Sequence, residues 1–423
     1  MIQKLKPKSE FSRNVLTLMT GTTIAQAIPI AISPILTRIY TPEDFGVLSL
    51  FVAITAIFGS IANGRYELAI MLPKKDEDAI NIFALGFIIT VVISLILLII
   101  ITLFNDYFTK LLDNEDISFW LYFIPLTVFF VGLWNILNYF NNRKKNYKDI
   151  ANATIIKSII QAIIQLSLGF LKNGAVGLIS GNILSQFFAN TKLLVNIIKD
   201  KVLISNISKV KIIALAKKYK DFPKFTLWAG LANTSSKNIT NIFISTFYGI
   251  VTLGYYSLVQ RVLEMPASLV GGSIGQVFFQ EAVEEKKRTG TSIVSFKKTF
   301  KRLLILSIAI FPLIYFFIED IFIIVFGEAW KEAGEYARII LFLVIVQFIV
   351  SPLTAINQVY MKNKNVMYWQ LGLLTLHIVI LYSSYYLKIA FIDYLRYMVV
   401  YISLYYIFHL YLLQTYIMKD KNE

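Results

Sequence analysis

Twelve stretches of mostly apolar sequence, each of about 20 residues or more, dominate this chain: 14–37, 46–72, 79–104, 119–141, 150–171, 175–197, 226–248, 255–279, 301–326, 337–360, 367–387 and 392–416. A hydrocarbon layer of about 30 Å takes roughly 20 residues of helix to cross. Inside that layer every backbone N–H and C=O must find its partner within the segment, which leaves only helices and closed barrels. The runs are continuous rather than alternating, and far longer than a barrel strand. They predict an all-α polytopic membrane protein with twelve transmembrane helices. Composition agrees: 57% of the 423 residues are hydrophobic and 16% charged, with a mean hydropathy of +0.64, well outside the soluble range. The basic start, MIQKLKPKSEFSRN, leads into a run too long for a signal peptide and without a small-residue cleavage site, so it reads as a retained first span.

A net charge of +15 in a soluble protein would raise nucleic acid as a partner. Its placement argues otherwise. With the N-terminus inside, 29 of the 41 Lys and Arg fall in inside segments or the run ends beside them, 7 in outside turns or the run ends beside them, and 5 farther within the runs. That asymmetry predicts cytoplasmic termini and explains most of the charge without nucleic acid. Cysteine is absent, so there is no disulfide framework.

The longest basic segment, 199–225, divides the runs six and six. Its LISNISKVKIIALAKKYK suits a short amphipathic helix on the inner membrane surface. At an offset of 208, FGVLSL at 45–50 falls on LGYYSL at 253–258, each after the first helix of its half. An even number of helices per half gives both the same orientation, a parallel repeat. The expected organisation is an N-terminal lobe (1–198), a basic linker (199–225) and a C-terminal lobe (226–423), the two six-helix lobes flanking a central cavity.

Ionisable residues inside a membrane cost at least about 2.5 kcal/mol each, so each needs a reason. Lys237 lies eleven residues from either end of its run, too deep to snorkel, among Asn233, Thr234, Ser235, Ser236, Asn238 and Asn241. It lines a cavity or forms a structural ion pair, for instance with Glu264. Arg261 and Glu264, three apart, share a helix face and either neutralise each other or line the same cavity; Pro266 follows as a potential kink. Arg65 and Glu67, two apart near the inner end of the second run, would point to different faces of a helix and not pair, which suits a cytoplasm-facing cavity mouth better than snorkelling. Lys157 and Lys192 are placed for snorkelling, and Gln26, Gln161, Gln165 and Gln276 for helix–helix hydrogen bonds. Gly177/Gly181 and Gly271/Gly275 match the close-packing GxxxG spacing.

Signs of enzyme chemistry are missing. There is no Gly-Lys dipeptide, hence no Walker A loop, and the two histidines, His377 and His409, lack metal-ligand spacing. Asp76-Glu77-Asp78 stands alone in a small inside loop and reads as a solvated turn. The outside loops are short, the longest being the acidic one at 319–338, which leaves little room for a glycan polymerase or glycosyltransferase site.

Several stretches carry a family resemblance: TRIYTPEDFG at 37–46, RYELAI at 65–70, LGYYSL at 253–258, Arg261 with Pro266, and the FG, Trp330 and AG positions of 326–334. In these the sequence resembles the O-antigen and capsule oligosaccharide flippases, the polysaccharide-transport branch of the multidrug/oligosaccharidyl-lipid/polysaccharide (MOP) exporter superfamily. The resemblance covers essentially the whole chain. It implies a non-enzymatic carrier, without cofactor, in a bacterial inner membrane. The cargo would be an oligosaccharide on a polyprenyl (undecaprenyl) diphosphate for O-antigen, lipopolysaccharide or capsule synthesis. The implied partners are this cargo, membrane lipid, and the polysaccharide polymerase and chain-length proteins. It also implies lobes that open alternately, with helices one, two, seven and eight lining the cavity, so that Arg65, Lys237 and Arg261 would form a ladder of cations with Glu67, Glu264, Asn233 and Asn241 beside it. A multidrug or cation-coupled exporter of the same superfamily is the main alternative; it would favour an acidic cavity, whereas intramembrane cations here outnumber the two carboxylates. A membrane glycan polymerase or glycosyltransferase, and a non-transporting scaffold, are alternatives of other classes.

Overall fold

The structure is a computed structural model that describes residues 10–171 and 174–420, with side-chain surroundings from Thr17 onward except at Lys237, Asn363 and 419–420. The basic N-terminal tail lies mostly outside the described residues. So do Lys172 and Asn173 of the tight turn expected between the fifth and sixth spans.

Regular structure among the described residues is helical throughout. In chain order the helices are α1 (Glu10–Ile39), α2 (Pro42–Gly59), α3 (Asp76–Leu111), α4 (Ile117–Leu121), α5 (Ile124–Arg143), α6 (Tyr147–Gly169), α7 (Val176–Ile198), α8 (Lys201–Ser205), α9 (Lys209–Lys218), α10 (Leu227–Tyr248), α11 (Ile250–Val259), α12 (Met265–Thr289), α13 (Ile293–Phe326), α14 (Lys331–Val350), α15 (Ile356–Val359), α16 (Asn363–Tyr386) and α17 (Phe391–Asp420). Each expected run falls on helix over most of its length, the second excepted. Among the described residues, ten helical stretches are long and apolar enough to cross a membrane. Helices α7 and α10 have the length but carry more polar residues. The chain is a multi-pass membrane protein.

Local chemistry sets the helix ends. Thr41 caps α2: its Oγ1 accepts the Asp44 N–H at 3.2 Å, while the Thr41 N–H donates to Asp44 Oδ2 at 2.9 Å, and Pro42 occupies a first-turn position where no N–H is needed. This reciprocal cap is what TPED in the family-like stretch encodes. The second run, expected to be helical over 46–72, breaks instead: α2 ends at Gly59, the chain turns through 60–65, and residues Tyr66–Met71 form a 3₁₀ helix.

The chain forms two compact units, the first up to Ile250 and the second from Val251. By contacts, therefore, α10 belongs with the first unit, where it packs on α2; the six-and-six sequence repeat is a separate property. In the first unit α6 lies against α1 and α7, and α3 against α5. Gln165 shows how the α6–α7 pair is held: its Nε2 donates to Leu178 O at 3.1 Å, and its own carbonyl accepts Tyr40 Oη at 2.6 Å. Gly181 lies directly against it, since a Cβ there would come within 2.6 Å of Gln165 Cγ. Glutamine as interhelical glue and the first GxxxG pair are thus one contact.

At the lysine-rich end of this unit, α8 and α9 dock on the start of α3. Asn81 holds the turn between them: its Nδ2 donates to Asn206 O at 2.9 Å and its Oδ1 accepts the Ser208 N–H at 2.8 Å. Leu203 and Leu215 are buried in the same core as Ile80, Ile136, Phe140 and Ile197. The acidic triplet, read from sequence as a solvated turn, is engaged: Asp76 pairs with Arg143 at 2.8 Å and with Lys144, and Glu77 pairs with Lys211 at 3.1 Å.

The second unit packs α14 against α13 and α17, with α16 on α17. Its core is aromatic. Trp330 is fully buried, edge-on to Tyr255 with ring centroids 5.9 Å apart. Tyr336 meets both Tyr255 and Phe391, and Tyr394 is buried beside Phe391. His409 sits between helices, its Nε2 3.2 Å from Asn357 Nδ2.

Candidate functional site

In the first unit the site grows from the broken second run. Gly64 (φ +60°) and Arg65 (φ +63°) are both left-handed. Glycine takes that conformation freely, whereas a residue with a Cβ pays of order 1–2 kcal/mol for it. Such strain persists only where the surroundings enforce it, and here they do. Asn63, 1% exposed, donates through Nδ2 to Thr90 Oγ1 at 2.7 Å and to Gly132 O at 3.0 Å, fixing the turn to α3 and α5. Beyond the turn, Arg143 Nη1 donates to Ile70 O at 3.2 Å, and Tyr66 Oη donates to Ala216 O of α9 at 3.0 Å.

This turn corrects the expectation that Arg65 and Glu67 do not pair. On a regular helix, residues two apart diverge; the left-handed residue swings the Arg65 guanidinium back, and Nη1 lies 3.4 Å from Glu67 Oε1. Glu67 is 3% exposed at its side chain and Arg65 24%. The pairing is incomplete: Arg65 Nε and Glu67 Oε2 are buried without a hydrogen-bond partner. Burial pushes the Glu67 carboxyl, which lies on the 3₁₀ turn between crossing helices, above its ordinary range, and Arg65 pulls it back in part. Tyr139 of α5 lies within electrostatic reach of both charges.

Arg65 also rests on α10. A Cβ at Gly230 would stand 3.1 Å from both Arg65 Cζ and Nε, so the missing side chain lets the guanidinium lie against the helix backbone. Positions 230, 233, 237 and 241 follow at helical spacing and form one stripe along α10. Asn233 on it is exposed; Asn241 is half-buried, with Oδ1 lacking a partner. Lys237 is in the middle of α10 by backbone, and its side chain lies outside the described residues. Gly230→Val should displace Arg65 and lower the melting temperature of the purified protein; Gly230→Ala, whose single methyl sits at the contact limit, should do so less. Thermal melts of the two purified variants beside wild type would check both.

In the second unit Arg261 and Glu264 lie on a π-helical turn, Gln260–Glu264, between α11 and α12. The Met265 N–H bonds to Gln260 O, five residues back. Pro266 accounts for the widening: its ring would clash with the carbonyl four residues before it in an α-helix. Both side chains are half-buried. Tyr256 and Tyr406 lie within electrostatic reach of the Glu264 carboxylate. A second π turn, Phe222–Thr226, contains Pro223 and leads directly into α10.

Of the remaining intramembrane cations, Lys192 pairs with Asp149 at 3.5 Å, and Lys157 lies over the Trp134 ring at 5.9 Å. Sequence reasoning missed Asn63 and Tyr66 as the residues that hold the Arg65 turn, and Arg143 with Asp76 as its far anchor. The only signal was the polar Asn63-Gly64 pair ahead of Arg65.

Residues 35–335, which contain this turn, the α10 stripe and the π turn, match the profile of a family described as polysaccharide biosynthesis protein. The chain belongs to that family. No curated protein sequence matches the chain. Among solved structures, this polysaccharide biosynthesis protein is similar to a multidrug resistance MATE family transporter of the MOP superfamily in an inward-facing conformation, with TM-score 0.68, 14% identity, and 96% of each chain covered. It is also similar to a MATE protein in complex with MaD3S, with TM-score 0.59, 12% identity and 97% of each chain covered. A third is a MOP superfamily transporter from Pyrococcus furiosus, with TM-score 0.57, 11% identity and 96% of each chain covered. At such identities the likeness is one of fold: this member of the polysaccharide biosynthesis family has the fold of MOP superfamily transporters.

Proposed function

We propose that this protein translocates an oligosaccharide carried on a polyprenyl diphosphate from the cytoplasmic to the outer leaflet of a bacterial inner membrane, by alternating access of its two six-helix lobes, for O-antigen, lipopolysaccharide or capsule-type polysaccharide synthesis. The observation that carries the reading is Arg65. In a polysaccharide biosynthesis protein with a transporter fold, a strained backbone holds a partly exposed guanidinium at the start of a polar stripe on a membrane helix. A diphosphate entering a low-dielectric region needs charge-assisted donors, and a guanidinium offers them in a fork that matches phosphate oxygens. The glycan needs polar neighbours, which Asn233 and Asn241 supply, and the polyprenyl chain needs none because it stays in lipid. The Lys/Arg asymmetry places the Arg65 turn at the cytoplasmic side, where loading would occur. In this reading Lys237 and Arg261 are further contacts along the path, with Glu67 and Glu264 tuning their neighbouring cations. Polymerase and chain-length proteins would then receive the cargo.

The multidrug reading draws on the MATE-type fold. Within that fold, the Pyrococcus furiosus transporter is described as having a binding pocket of reverse polarity that suggests a different function. The excess of intramembrane cations over carboxylates favours an anionic cargo here. The test separates the two. Lys237→Ala and Arg261→Ala should each block surface polysaccharide export in cells while protein abundance stays at wild type, with lipid-linked oligosaccharide accumulating. Drug resistance conferred by the wild-type protein, with normal glycan export in both variants, would support the multidrug reading instead.

A further inference from the structure

The linker helices α8 and α9 are fixed on one side and unaccounted for on the other. Their packed side is fully specified: Leu203 and Leu215 are buried, Asn81 holds the turn between them, Lys211 pairs with Glu77, and Ala216 O accepts Tyr66 Oη. The opposite side of α9 presents Lys209, Val210, Ile213, Ala214, Lys217 and Lys218, all exposed and at helical spacing for a single face. Val210 is 77% exposed, and Val202 on α8 is 76% exposed. A face turned only to water has no use for an exposed valine and isoleucine set among lysines. That mixture suits a helix lying in the headgroup region, with its apolar side chains at the acyl boundary and its ammonium groups reaching phosphates. Charge supports one sign of lipid. Seven of the eight lysines in 198–225 are exposed, the exception being Lys211. Of the two acidic residues in that stretch, Asp200 is occupied by the Leu203 N–H, leaving Asp221.

We propose that the outward face of α8 and α9 is a docking surface for anionic phospholipid headgroups of the leaflet at the lysine-rich end of the protein. The lipid-held linker would also brace the Arg65 turn, because the Ala216 carbonyl that anchors Tyr66 belongs to α9.

The chain contains no cysteine, so a single introduced thiol can be labelled without background. Val210→Cys, labelled with bimane in the full-length protein in nanodiscs, should be quenched at least about threefold more by brominated phosphatidylglycerol than by brominated phosphatidylcholine. Adding Lys209→Gln, Lys217→Gln and Lys218→Gln should remove most of that preference, since each lysine near an anionic surface contributes about 1 kcal/mol, a factor of about five, to binding. Ile213→Cys, on the same face, serves as an independent reporter. Equal quenching by the two lipids would overturn the choice of an anionic lipid. No quenching by either would place the face in water or against another protein, and overturn the surface itself. Neither outcome depends on the identity of the transported cargo.

Discussion

Arg65→Gly should leave the protein as abundant as wild type, or more so, and abolish the proposed translocation, read as loss of surface polysaccharide. Arg65 holds φ at +63°, a conformation glycine adopts without penalty, so the substitution should release of order 1 kcal/mol of backbone strain. It simultaneously removes the guanidinium that pairs with Glu67 and rests on Gly230. Loss of the partner leaves Glu67, 3% exposed, as an uncompensated buried carboxyl, which would protonate. The double substitution Arg65→Gly with Glu67→Gln should therefore match or exceed the single variant in thermal stability and remain inactive. Arg65→Lys separates charge from shape: it keeps a cation at a strained position but loses the planar fork, so partial export at most is expected. Melting of the detergent-solubilised variants and quantification of surface polysaccharide measure the two effects independently. Wild-type export in Arg65→Gly would remove this residue from the mechanism.

The largest stability loss is expected from Trp330→Ala in the second unit. The side chain is fully exluded from the surface and packs edge-on to Tyr255, whose ring also meets Tyr336. Truncating a buried tryptophan typically costs about 3–5 kcal/mol through lost contacts and the cavity left behind. Trp330→Phe, which refills part of the volume, should recover about half. Melting temperatures of the purified proteins would rank the three. A Trp330→Ala variant as stable as wild type would mean that this aromatic core does not hold the unit together. Full burial makes packing the role of Trp330 in the family-like stretch at 326–334.

Much of the architecture was legible from periodicity and length alone. The solvent imposes it: no membrane-crossing backbone can leave its N–H and C=O groups unpaired, so each long apolar run has essentially one available structure. The close pair at Gly177 and Gly181 was readable for a related reason, since a spacing of four puts both residues on one helix face. The Arg65 site was only half legible. That Arg65 and Glu67 need a reason to be there followed from the cost of burying charge. Their pairing did not, because helical geometry gave the wrong answer at a point where the chain is not a helix.

What the sequence by itself determined, then, is the class of the molecule, the positions of its crossing helices and the residue types that must do polar work inside a membrane. These follow from short-range rules and from transfer free energies, which need no knowledge of neighbours. The tertiary structure alone decided that the second run breaks at Gly59, that Asn63 and Tyr66 hold the turn, and that the Arg65 guanidinium lies on Gly230, 165 positions further along the chain. Left-handed backbone at a non-glycine residue is unfavourable locally. It exists because hydrogen bonds from α3, α5 and α9 outweigh it, and those partners come together only in the folded protein.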